Sequence, residues 1–128
     1  MGKEPTGPRE QRHSQLLRGV LDLCLLALIA ERPRFGYEIV EALGESGLEL
    51  VSEGSIYPLL ARMERNGLAD TYRAPSPSGG APRKYYRPTE AGLAELEAGR
   101  TAWLVFRGAV DQALSAGTPK EDTPEEGR

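Results

Sequence analysis

Apolar residues recur at helical spacing early in the chain. Leu17, Val20, Leu21, Cys24 and Leu28 share one face, and Leu25, Leu26 and Ile29 widen it until the later half is apolar nearly all round. The pattern predicts one helix, capped by Ser14 and running to about Glu31, buried by several neighbours; Pro33 ends it. A second helix is expected from Gly36 to Glu45, with Ile39, Val40 and Leu43 inward and Gly44, Ser46 and Gly47 as its stop. Leu48, Leu50 and Val51 then alternate over a very short extended piece.

The third helix has the cleanest pattern. Ser52 suits its N-cap and Ser55 its N3 position, while Ile56, Leu59, Leu60 and Met63 fall at i, i+3, i+4 and i+7. The ring of Pro58 would meet the carbonyl four residues back. That residue is Gly54, near the helix start, so the helix is expected to continue to a left-handed cap at Asn66-Gly67. Two short strands follow, Leu68 to Arg73 and Arg83 to Arg87, joined by a nine-residue tip of Pro, Ser, Gly and Ala with no core residue. Thr89 caps a last helix that runs to about Ser115. The expected layout is a disordered arm over 1–13, a folded domain over 14–88, a long helix over 89–116 and a disordered acidic tail over 117–128.

Charge changes the picture when it is divided by segment. The whole chain carries -3, which argues against a polyanion-binding protein. Residues 53–87, however, hold six basic side chains against three acidic ones, and from Thr71 to Pro88 there is no acid. A local patch, not the sum, decides what a surface attracts.

Other chemistry is excluded by what is missing. The only cysteine, Cys24, sits in an apolar run and reads as a buried structural thiol; the only histidine, His13, lies in the polar arm. Neither supports a disulfide framework, a metal site or a catalytic base. Glu38, Glu41 and Glu45 read as a solvated helix face. No catalytic residue, cofactor or metal is expected. The longest apolar stretch, Leu23 to Ala30, is far below a membrane span. A cytoplasmic protein follows, without membrane contact.

Three helices, a basic hairpin and a long helix make a mainly α winged helix-turn-helix with a small β-wing and a C-terminal dimerisation helix. Such a domain suits double-stranded DNA, because the exposed first turns of the third helix can reach base edges in the major groove. Opposite its core face lie Gly54, Pro58, Ala61 and Arg65, flanked by Ser55, Tyr57 and Arg62. Small residues and Tyr57 come first; Arg62 and Arg65, suited to phosphates, come later. The wing adds Arg83, Lys84 and Tyr86. Strand alternation exposes either Lys84 with Tyr86 or Arg83 with Tyr85. In the last helix, Leu96, Trp103 and Val110 occupy one heptad position, and Gly92, Gly99, Phe106 and Ala113 the other. That stripe calls for a homodimer, which would present two recognition helices to a palindromic operator. Trp103 is either plain core or the wall of a cavity for a planar hydrophobic effector.

The chain resembles the PadR family of bacterial transcriptional regulators over about residues 14–115. The resemblance rests on Arg18-Gly19, on Gly36-Tyr37-Glu38-Ile39, on Ser52 to Leu60 (SEGSIYPLL) and on Gly79 to Gly92 (GGAPRKYYRPTEAG). It implies a dimeric repressor with DNA contacts at Ser52, Ser55, Tyr57, Arg83 and Lys84. The single C-terminal helix is similar to that of the compact subfamily, whose members can bind planar aromatic compounds at the dimer centre. Pro88 stands where the family usually has Leu and removes a backbone donor from the strand end. A sequence-specific repressor released by a small molecule or other signal is the function this implies. The alternative is a winged-helix module that binds a protein or small molecule without DNA.

Overall fold

The computed structural model describes residues 8–48, 51–117 and 119. Five helices and three strands follow one another: α1 (Pro8–Leu17), α2 (Leu21–Glu31), β1 (Arg34–Phe35), α3 (Gly36–Glu45), α4 (Glu53–Arg65), β2 (Ala69–Ala74), β3 (Arg83–Pro88) and α5 (Glu90–Ala116). The fold is a winged helix with a three-stranded antiparallel sheet in the order β1-β3-β2. Residues 49–50, part of the expected extended piece, lie outside the described residues, as do 1–7 and nearly all of the tail.

The first helix departs from expectation twice. It begins at Pro8, so residues 8–13 are helical rather than a disordered arm. It also stops at Leu17, and a turn over 18–20 separates it from α2. The Val20 amide donates to the Leu17 carbonyl at 3.0 Å, and the Leu23 amide is taken by Asp22 Oδ1 at 2.9 Å. Gly19 weakens a helix interior by roughly 1 kcal/mol, and Asp22 suits a first turn. Leu17 and Leu21, one on each side of the turn, are both buried.

α3 and α4 keep their expected bounds because both ends are chemically marked. The Phe35 amide donates to Glu38 Oε1 at 3.3 Å, which caps α3. Ser52 caps α4 in extended backbone, and Gly67 closes it with φ +75°. Pro58 lies inside α4 without ending it. Ile56, Leu60 and Met63 point into the core, which they share with Leu25, Ile29, Ile39 and Leu43.

β1 has only two residues. It pairs Arg34 with Tyr86 and Phe35 with Tyr85. Arg34 is buried; its Nη1 donates to the Leu28 carbonyl and its Nη2 meets Glu31 Oε1 at 3.2 Å. A cation at the C-terminal end of α2 is favoured by the helix dipole, and here it ties β1 to that end. β3 continues through Pro88, which stands opposite Ala69. The missing donor at Pro88 therefore does not shorten the strand. At the wing tip the Gly79 amide donates to the Ser76 carbonyl at 3.0 Å.

The chain divides at Glu97 into two compact units. The start of α5 belongs to the first, which extends nine residues beyond the expected boundary at Pro88. Thr89 Oγ1 accepts from the Gly92 amide at 2.9 Å and donates to the Gly67 carbonyl at 2.6 Å. A Cβ on Gly92 would lie 2.0 Å from the Leu68 carbonyl oxygen. Only glycine lets α5 cross Leu68 so closely. Leu96, one turn on, is buried in the same core at 4% exposure. Gly92 and Leu96 thus serve the winged helix rather than a seam between protomers, which corrects their expected roles. The second unit contains the rest of α5, whose described residues from Arg100 onward are all exposed. No helix among the described residues is long and apolar enough to cross a membrane.

Candidate nucleic-acid interface

The solvent-facing side of α4 carries the residues expected there. Gly54, Ser55, Tyr57, Pro58, Ala61, Arg62 and Arg65 are all exposed. Ser52 and Ser55 bind each other at the helix start. The Ser52 amide donates to Ser55 Oγ at 3.2 Å, Ser55 Oγ donates to the Ser52 carbonyl at 3.0 Å, and the two hydroxyls lie 3.0 Å apart. Their first task is to hold the α4 N-terminus, with their outward surfaces left to solvent.

Tyr57 is 44% exposed, and its hydroxyl donates to Glu53 Oε2 at 3.0 Å. The ring lies over Gly36, where an added Cβ would meet the Tyr57 hydroxyl oxygen at 2.2 Å. Glycine at the first residue of α3 therefore makes room for the Tyr57 ring. Burial, then the Glu53 hydrogen bond and charge, raise the Tyr57 pKa, while Arg83 pulls it down.

The sheet settles the wing's alternation. Tyr86 is 5% exposed and packs into the core, so it does not face DNA as expected. Its neighbours Arg83, Tyr85 and Arg87 turn to the outer face. There the rings of Phe35 and Tyr85 meet edge-on with centroids 5.3 Å apart, and Tyr72 stacks on Tyr85 at 5.5 Å. Arg83 Cζ sits 5.1 Å over the Phe35 ring, and Arg87 Cζ sits 4.7 Å over Tyr72. Each guanidinium rests on an aromatic face while its donors stay free for phosphate or base. Arg83 also lies near enough to Tyr57 to act on its ionisation.

Lys84 lies on the other face of β3. Its Nζ is 3.6 Å from Glu64 Oε1 and 5.6 Å over the Tyr86 ring. Glu64 Oε2 also accepts from Thr71 Oγ1 at 3.3 Å. Glu64 thus fastens the wing to the last turn of α4, and its charge partly neutralises Lys84. Burial first, then Glu64, raises the Tyr86 pKa. Arg62 and Arg65 lie on the last turn of α4, as expected.

Four contributors were missed from the sequence. Phe35 sits in a strand too short for periodicity to reveal. Tyr72 and Arg87 depend on which face of the wing is outward. Glu53 could have been found, because it lies four residues before Tyr57 on one helix. Cys24 is only half-buried, with its pKa raised by burial and then by Asp22. No group of ligands that could hold a metal occurs among the described residues.

Trp103, Phe106 and Val110 lie on the second unit's helix, exposed at 38%, 62% and 37%. Leu104, Val105 and Leu114 are exposed beside them.

Known proteins share this arrangement. The profile of the PadR-like family of transcriptional regulators matches residues 25–98. An uncharacterised protein from Lysinibacillus sphaericus is 32% identical over 100 residues, covering 77% of this chain and 91% of its own. The crystal structure of a PadR-like transcriptional regulator from Bacillus cereus matches with a TM-score of 0.71 and 40% identity, over 78% of this chain and 96% of that one. That of a PadR family regulator from Eggerthella lenta matches with a TM-score of 0.71 and 33% identity, over 81% and 89%. With that family comes regulation of transcription by DNA binding rather than catalysis. The winged helix, the exposed face of α4 and the arginine-bearing wing are those of a chain that belongs to the PadR-like family of transcriptional regulators.

Proposed function

We propose that this protein is a homodimeric repressor that binds a palindromic operator and leaves it on a signal. The observation that carries the reading is that two exposed side chains, Tyr57 on α4 and Arg83 on the wing, lie within electrostatic reach of each other. Ser52, Ser55 and Tyr57 then address base edges, and Arg83, Arg62 and Arg65 address phosphates. Lys84 joins them by exchanging Glu64 for a phosphate oxygen.

The apolar row Trp103, Phe106, Val110 and Leu114 supports self-association. Large exposed side chains in a row on a helix are rarely left to water. A two-fold pairing of these helices gives two recognition surfaces, one per half-site. The position of Trp103 supports an effector cavity between the paired helices, lined by Trp103, Phe106 and Val110, for a planar hydrophobic compound. An effector that prefers one dimer geometry would shift the population toward it and change operator affinity.

The test is binding to DNA from upstream of the protein's own gene, with and without a panel of planar aromatic compounds. The expected result is retention of that DNA, release by at least one compound, and quenching of Trp103 fluorescence by the same compound. Absence of specific retention overturns the repressor reading; release without quenching overturns the Trp103 cavity.

A further inference from the structure

Tyr57 has one hydroxyl proton, and the structure commits it. The hydroxyl donates to Glu53 Oε2 at 3.0 Å, one helical turn back. A carboxylate only accepts. The Tyr57 oxygen therefore offers only lone pairs to an approaching molecule, and the Glu53 carboxylate beside it likewise only accepts. Gly36 holds the ring in this pose by leaving no Cβ beneath its hydroxyl. Arg83, within electrostatic reach, only donates.

We propose that Tyr57 and Glu53 together form an acceptor-only reader for an exocyclic amine in the major groove, the N6 amine of adenine or the N4 amine of cytosine. The proposal rests on the DNA-binding reading above and adds what that surface selects. Guanine O6 and N7 and thymine O4 are acceptors and find no donor in this pair. Phosphate oxygens have no proton to give either, so the pair turns away from the backbone and leaves it to the arginines. Glu53 is a specificity-determining residue through its hold on the Tyr57 proton. The raised Tyr57 pKa, from burial first and then Glu53, keeps that proton in place.

The experiment starts from the full-length protein and a randomised duplex library. Retained duplexes are then remade with each half-site adenine replaced by purine, and each cytosine by 2-pyrimidinone, which lack the amine. At one position this should weaken the wild type about fivefold to tenfold and leave Tyr57→Phe unaffected. Glu53→Gln, whose amide can donate to the phenol oxygen and free the phenol proton, should select guanine or thymine there. Equal losses for wild type and Tyr57→Phe at every position, or an unchanged preference in Glu53→Gln, overturn the proposal alone. A wild type that retains no duplex overturns the DNA-binding reading and this proposal with it.

Discussion

Single atoms decide several positions. A Cβ on Gly92 would lie 2.0 Å from a backbone oxygen, which cannot swing aside as a side chain can. Gly92→Ala should therefore cost about 3 kcal/mol, at the upper end for overpacking, read as a shift in denaturant midpoint. A loss below about 0.5 kcal/mol would mean that α5 does not cross Leu68 as described. Tyr86 gives a pH-dependent prediction. Its pKa is raised by burial and then by Glu64, whereas an unfolded tyrosine ionises near pH 10. Its contribution is whole below about pH 10 and falls as pH rises toward the higher folded value. Tyr86→Phe should be near-neutral at pH 7 and should lose less stability than the wild type between about pH 8 and about pH 11. Equal losses would place Tyr86 outside the core.

Elements were legible where their ends carry chemistry. Ser52 and Asn66-Gly67 bracket α4, and Pro33, Gly36 and Ser46-Gly47 bracket α3. The break between α1 and α2 was not legible, because apolar spacing runs straight through Gly19 and a helix propensity difference of about 1 kcal/mol leaves no mark on periodicity. β1 was hidden by its length. The wing's outward face required knowing that Arg34 and Thr71 both stand opposite Tyr86. That pairing is long-range and leaves no local signal. The heptad in α5 blended two jobs: Gly92 and Leu96 pack the winged helix, and only the residues from Trp103 onward remain exposed. On the proposed pairing of these helices, Phe106→Glu should shift sedimentation from dimer to monomer while leaving the folded content of the domain unchanged. A dimer that survives this change would place the interface elsewhere. On the wing, Lys84→Ala should weaken DNA binding less than Arg83→Ala, since Glu64 already offsets the lysine. The reverse order would show that the Glu64 contact breaks without cost.

At the scale of the molecule, the acidic sum and the basic function are reconciled by position. The surface of α4 and the wing is arginine-rich; of its three acids, Glu53 and Glu64 fix Tyr57 and Lys84, and Asp70 lies exposed on β2. Affinity for unrelated DNA should accordingly be weak and strongly salt-dependent. The most direct measurement is the salt dependence of affinity for a selected duplex, compared between wild type and Arg83→Ala. A steep fall with salt is expected for the wild type, with the slope of log affinity against log salt reduced by about 1 per protomer in the variant. A wild-type affinity that does not change with salt, or a slope unaltered by Arg83→Ala, would contradict the assignment of the wing to DNA.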